Sequence, residues 1–441
     1  MHPKSTKKIS FQPSKVGKTF TSENLTHYTG LTVINDYAHR SGLFEQLSKH
    51  FFTHIKSATQ ILNIQIFSAI IFANICGVHR LSKISRFMHD PLVRKLLGLK
   101  RGFEDSNLKK RLEQFGECGS NRLLEMGLDL TKKWVEKCGL SRITIDCDST
   151  EETVYGYQEG ASRGYNPKDK GKKSYHPLLC FCSEMKIILN TWFRPGNTYT
   201  ANGIVEFMQQ TLAALPEKIK KIFFRADSGF FCGSLFALLE EKGHEYLVKA
   251  KLTPQIKSVL SAQNWVEIDS DTSVCAFEYQ AQGWSKSRKM YAVRIVKEYV
   301  ERGWIGTIEQ IPVYDCFCYC TNLKGLDSMK IHALYGQRAE CENWIEHTKN
   351  QLCAGKTITN NFYVNDMLWQ LSVIAYNISV LMRYDTDFKV WRQEPKTFRE
   401  WFIAVPGKVV THGRKTIVKM SRHYIYAKEW ERLAAKIPMA A

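Results

Sequence analysis

Tyr335, Arg338, Glu342 and Lys349 lie three, four and seven residues apart in the stretch LYGQRAECENWIEHTKNQL. At about 100° per residue, a helix would bring all four onto one stripe roughly 60° wide and about 21 Å long. An acid flanked by two cations and a phenol suits a polyanion that also needs a metal ion. A solvated helix face with its own ion pairs uses the same residue types, so the stripe alone does not decide.

Two further acids fall where apolar runs end. Asp148 closes SRITIDCDST in Asp-Ser-Thr, and Asp227 closes IKKIFFRADSGF in Asp-Ser-Gly. Open α/β sheets build sites where strands end, because a rigid element then holds each carboxylate. Glu342, on a helix packed against such a sheet, supplies a third. Three acids of this kind bind one or two Mg²⁺ ions. Two ions about 3.5–4 Å apart polarise an attacking oxygen and stabilise a leaving one, which is phosphodiester-cleaving chemistry. Both tripeptides also begin ordinary turns. Asp146, two residues before Asp148, shares its strand face and competes for the first metal position or stands behind it.

The elements that must position these acids are legible in the periodicity. From Leu31 to about Cys138 apolar residues recur at helical spacing, with breaks at Gly, Ser or Asp-Pro, so this part is read as all-helical. The period then changes. SRITIDCDST, the two halves of HPLLCFCSEMKIILNTWF, IKKIFFRADSGF and EYLVKAK read as strands, with helices over NGIVEFMQQTLAAL and SLFALLEEKG. That order implies a mixed α/β sheet with helices on its faces. Residues 252–328 turn strand-rich and read as an inserted β subdomain. The helix with the four-residue stripe follows, then the apolar VNDMLWQLSVIAYNISVLMRY, a buried helix. GKVVTHGRKTIVKM reads as a basic hairpin turning at His412-Gly413.

The chain carries 62 Lys and Arg against 43 Asp and Glu, a net charge of +19, which makes a polyanion such as nucleic acid the expected partner. The 13 cysteines include no CxxC pair. Cys316, Cys318 and Cys320 alternate as small strand hydrophobes would, and an odd count suits a reducing cytosol. The N-terminal MHPKSTKKIS has no apolar core, so no signal peptide is read there, and IFSAIIFANICGV is too short to cross a bilayer.

The spacing Tyr335-(2)-Arg338-(3)-Glu342-(6)-Lys349 resembles the Y-R-E-K signature of bacterial insertion-sequence transposases of the DDE class. DCDSTEETVYGYQEGASRGYNPKDKGKKSYHPLL, FRPGNTYTANG, FRADSGF and FREWFIAVPGKVV also look like one branch of that group, so the similarity runs from about Leu31 to near Ser421. The resemblance implies an RNase H-like fold: a mixed sheet flanked by helices, interrupted by a β-rich insertion and preceded by an all-helical domain. It implies Asp148, Asp227 and Glu342 as the catalytic, metal-binding triad, with Asp148 favoured over Asp146 because x-Thr follows it. Mg²⁺ is the implied cofactor and Mn²⁺ a possible substitute. Arg338 and Lys349 would hold phosphates of the transposon end, with Tyr335 beside them. Gly336 is a poor helix former, so the helix is expected to begin after it or bend there.

On this reading residues 1–140 are a basic arm and helical DNA-binding domain. Residues 141–251 and 329–390 are the two parts of the catalytic core, 252–328 the insertion and 391–441 a basic tail. Lys168, Lys170, Lys172 and Lys173 would lie near the DNA backbone. Trp304 and Trp284 are candidates to stack on a flipped base, although a tryptophan is more often core. The expected activity is cut-and-paste transposition on double-stranded DNA by a homodimer formed on DNA, in a bacterial cytoplasm near the nucleoid. A transposase-derived DNA-binding protein that no longer cuts is the alternative. A glycosidase using Asp148 and Asp227 would leave the +19 charge unexplained.

Overall fold

The computed structural model describes residues 17–54, 57, 59–164, 166, 169–304, 307–356, 359–386, 393–413 and 415–437; the side chains of 304, 307 and 308 are not included. The short strand β1 (Leu25–Thr26) precedes six helices: α1 (Leu31–Ser41), α2 (Leu43–His50), α3 (Asn63–Ile75), α4 (Leu81–Phe87), α5 (Pro91–Leu96) and α6 (Asp105–Lys137). The uniformly apolar α3 is buried on nearly every side, as its composition requires. Gly116, at φ 51°, interrupts α6 where the two helical runs of the sequence meet.

The centre is a nine-stranded sheet. Its strands are β2 (Arg142–Ser149), β6 (Leu178–Cys182), β7 (Ile187–Trp192), β8 (Lys221–Ala226), β9 (Glu245–Lys249), β10 (Val266–Glu267), β11 (Thr272–Tyr279), β12 (Arg288–Trp304) and β13 (Thr307–Thr321). They lie in the order β10-β11-β12-β13-β9-β8-β2-β6-β7. β2 runs antiparallel to β6, and β6 to β7, whereas β2, β8 and β9 are parallel. This is the RNase H-like mixed sheet expected above. The inserted strands do not stand apart from it: β13 pairs with β9, so the insertion prolongs the same sheet. A small second sheet of β3 (Glu152–Val154), β4 (Ser162–Arg163) and β5 (Lys173–Tyr175) covers the chain between β2 and β6.

Helices α7 (Ile204–Ala213), α8 (Gly233–Glu241) and α9 (Pro254–Ser261) link the parallel strands and the insertion. After β13 come α10 (Ser328–Gly336), α11 (Glu340–Glu346) and α12 (Phe362–Thr386). The buried α12 joins the two halves of the molecule, packing on α3 and α6 on one side and on β7 on the other. Its Asn377 accepts from the Ile188 amide and donates to the Ile188 carbonyl, each at 2.8 Å. That satisfies a backbone position at the sheet edge that would otherwise be open. The chain closes with β14 (Gly407–His412), β15 (Lys415–Met420) and α13 (Ala427–Lys436). β1 pairs with β14, bringing the two ends of the chain together, a contact nothing local in the sequence announces.

Candidate active site

The parallel register of β2 and β8 places the acids. Asp146 stands opposite Arg225 and Cys147 opposite Ala226, so the next step along both strands brings Asp148 beside Asp227. Asp227 lies just beyond its strand, where its Oδ1 accepts from the Gly229 amide at 2.9 Å. A Cβ at Gly229 would stand 3.1 Å from both that oxygen and Thr200, so the tight turn after Asp227 suits glycine. Thr200 in turn shares a 3.1 Å hydroxyl contact with Ser149. Arg194 holds the loop carrying Thr200 by donating to the carbonyls of His176, Tyr199 and Asn202. His176 adds a 2.6 Å bond to the Thr198 carbonyl.

The third side of the site comes from the segment after β13. It is not one regular helix: α10 tightens into a 3-10 turn at Gln337–Ala339, continues as α11, and widens into a π turn at His347–Gln351. Gly336 keeps helical dihedrals and closes α10, so Tyr335 lies within the helix and the change to 3-10 geometry comes just after the glycine. The side of the segment that carries the four residues is not a solvated face: Arg338 and Lys349 turn inward, and Glu342 stays exposed. Arg338 is buried and sets Nη2 2.8 Å from Asp148 Oδ2, while its Nη1 lies 3.9 Å from Glu342 Oε1. Glu342 is largely exposed at the mouth. Tyr335 packs against Tyr319, the ring centroids 5.0 Å apart and the rings tilted, and burial raises its phenol to about 12. Lys349 donates to Thr150 Oγ1 at 3.0 Å and to the Glu151 carbonyl, and lies 3.7 Å from Glu152. It therefore braces the chain just after Asp148.

Charge is concentrated here. Burial raises the Asp148 carboxyl to about 6; Arg338 pulls it down, and Asp227 and Glu342 push it up. Asp148 thus feels the two other acids named from the sequence, which lie 79 and 194 residues further along the chain.

The family model for the transposase DDE domain, group 1, matches residues 9–441. The chain belongs to that transposase family. Among solved structures, the piggyBac transposase synaptic complex with hairpin DNA is similar over 86% of this chain and 81% of that one, at 12% identity and a TM-score of 0.43. No curated protein matches the chain.

DDE transposases act with divalent metal ions, and the donor set can be tested against that need. It is all carboxylate, the chemistry a hard cation takes, and Asp148 is crowded by like charge that a cation would relieve. In this conformation, however, no group of three or more His, Cys, Asp or Glu among the described residues is drawn close enough to hold a metal. The cation at Asp148 is the Arg338 guanidinium. The donors fit in kind, and the Arg338 guanidinium stands between Asp148 and Glu342.

Asp146, the rival for the first position, is otherwise engaged. It is fully buried, both oxygens accept from the Arg225 fork at 2.7 and 2.9 Å, and Ser183 donates to it as well. Arg225 continues to the Leu334 carbonyl and Gln337 Oε1, tying β2 and β8 to the end of α10. Arg225 stands two residues before the strand-end acid in FRADSGF, and that spacing is the only local signal of its role. Trp284 is not at the site: it packs among Phe231, Phe236 and Arg288. The Trp304 side chain and Lys168 lie outside the described residues. Lys170 and Lys172 are exposed and Lys173 half-buried; Lys172 and Lys173 lie over the rings of Tyr155 and Tyr157. The cysteines among the described residues are free thiols, and no described helix is long and apolar enough to cross a membrane.

Proposed function

We propose that this chain is a cut-and-paste transposase that binds the terminal repeats of an insertion sequence, cleaves DNA there and transfers the freed end. Asp148, Asp227 and Glu342 hold a divalent cation, Mg²⁺ with Mn²⁺ as a substitute. The observation that carries the reading is the meeting of Asp148 and Asp227 at the ends of neighbouring parallel strands, with Glu342 one helical turn from the arginine paired to Asp148.

When bound, the cation supplies polarisation of the scissile phosphate and of the attacking oxygen. The chain's own residues do the rest. Arg338 leaves Asp148 for a phosphate oxygen, trading one anion for another without leaving its buried position. Its planar fork suits either partner. Lys349 fixes the backbone after Asp148, so the carboxylate keeps its aim. Tyr335, held against Tyr319, closes the apolar wall beside the acids. Asp146 and Arg225 form the strut behind them. A homodimer on DNA, each copy holding one end, completes the assembly, and Lys170, Lys172 and Lys173 lie along the DNA backbone.

Glu342→Gln tests the assignment. The residue is exposed, so folding should be unchanged. Nicking of supercoiled DNA carrying the element's ends should fall ~10³-fold while end binding persists. Undiminished cutting by that variant, or full wild-type cutting in a chelator, would falsify the triad.

A further inference from the structure

Two β-hairpins of the chain differ in charge. Residues 296–313, the part of β12–β13 beyond the strands that flank it, hold two basic and three acidic residues. Residues 407–422, which contain β14–β15, hold five basic residues and no acid. The segment from Pro91 to Arg101, containing α5, holds four basic residues and no acid. These two basic stretches, more than 300 residues apart in sequence, line one groove of 420 Å³, with Arg94, Lys95 and Lys100 on one wall and Val409 and Thr411 on the other. The groove's lining includes no acid, although Glu23, next to the lining residue Asn24, and Asp90, which caps α5, lie beside it, so the surface is cationic in balance.

The ribbon's other face, turned away from the groove, carries cations of its own. Its register sets Lys408 opposite Lys419, Val410 opposite Ile417 and His412 opposite Lys415, so these six share a face. Like charges directly opposite each other weaken a ladder. Glu23 partly offsets this through its ion pair with Lys408, whereas Lys415 and Lys419 are exposed, with exposed Ile417 between them. A twisted two-stranded ribbon has the width of a major groove.

The surface is also anchored relative to the candidate active site. Just before β14, Arg399 donates to the Ile75 carbonyl at 2.7 Å and to the Gln351 carbonyl. Gln351 ends the turn that carries Lys349. DNA gripped by the ribbon is therefore held in fixed relation to the acids. A cut made at a fixed distance from a recognised sequence requires that relation.

We infer that β14–β15 and the end of α5 form the surface that takes the duplex of the element's end, with the ribbon in its major groove and the α5 cations on adjoining phosphates. This rests on the transposase reading and names the part of the chain that recognises the end.

The test uses the full chain and a labelled duplex taken from the DNA flanking its reading frame, beside a duplex of shuffled sequence. Lys415→Glu/Lys419→Glu should keep the wild-type circular dichroism and melting temperature. It should bind the flanking duplex roughly 10- to 100-fold more weakly, with the slope of log K against log salt reduced by about 2. Lys415→Gln/Lys419→Gln, which adds no repulsion, should show the same flattening with a smaller loss. Folded variants that bind the flanking duplex within about twofold of wild type, with unchanged salt slope, would overturn the inference. So would a loss confined to the shuffled duplex, which would make this a target-DNA contact. If instead the wild-type chain neither binds nor cuts the flanking duplex with Mg²⁺, the transposase reading itself falls.

Discussion

Asp146 and Asp148 stand two residues apart on one face of one strand, and each meets an arginine. Asp146 is sealed: it has no exposure, and Arg225 grips both of its oxygens in a fork whose remaining nitrogen bonds the end of α10. Asp148 meets Arg338 through one oxygen, at the mouth, with Asp227 and Glu342 near enough to raise its carboxyl. The residue types are the same and the register differs by one step of the pleat. One pair is saturated and holds elements together. The other is charge-crowded, and its arginine has a second anion within 4 Å. Residue identity therefore does not separate a strut from a site, whereas the number of uncommitted acceptors around the carboxylate does.

The strongest way to break this comparison is to remove the sealed carboxylate. Asp146→Asn leaves Arg225 buried beside a neutral partner, and breaking a buried pair costs about 3–5 kcal/mol. Urea unfolding should show that loss, whereas Glu342→Gln, at an exposed position, should leave the curve unmoved. If Asp146→Asn folds as well as wild type and fails only in cation binding, the roles of the two aspartates are exchanged.

A smaller effect separates the pairs by pH. The Asp148 carboxyl is raised to about 6 by burial and by its acidic neighbours. A cation binds the ionised form, so cation affinity should be flat above pH 6 and fall about tenfold per pH unit below it. Stability without the cation runs the other way. The folded chain keeps this proton to a higher pH than the unfolded chain, so the group's contribution is lost as pH rises from the ordinary 3.8 through about 6. Mn²⁺ titrations followed by electron paramagnetic resonance on both sides of pH 6 check the first trend, and Asp148→Asn should remove the break.

How much of this was readable beforehand follows from what is local. Apolar runs that end in acids marked β2 and β8 and so gave Asp148 and Asp227, because a strand and its terminal residue are encoded within about ten positions. The break at Gly116 was likewise visible, where two helical runs of the sequence meet. The hairpin at 407–420 was legible, with its turn one residue later than read. The Asp146–Arg225 bridge was not, because it depends on the register of two parallel strands joined through 71 intervening residues between Ser149 and Lys221. The four-residue stripe was legible because helical spacing is local: Arg338 and Lys349 both reach β2 or the chain just after it. The 3-10 and π turns within that segment are not contained in helical spacing. The union of β1 with β14, and of the insertion with β9, is tertiary in the same sense.

The smallest effect bears on the arginine that distinguishes the open pair. Arg338 Nη2 lies 2.8 Å from Asp148 Oδ2, where it competes with any cation that the carboxylates would share. Arg338→Gln removes that competing charge and keeps much of the side-chain volume. Cation affinity without DNA should then rise a few-fold, because the buried guanidinium no longer opposes a second positive charge at Asp148. DNA cleavage should fall in the same variant, because the phosphate loses its fork. The two readouts move in opposite directions only if Arg338 stands in for the cation at rest and serves the phosphate in action. Calorimetric Mn²⁺ binding and a nicking assay on one preparation measure both. A parallel loss of the two would make Arg338 a second Arg225, a strut like the first, and would erase the distinction between the pairs.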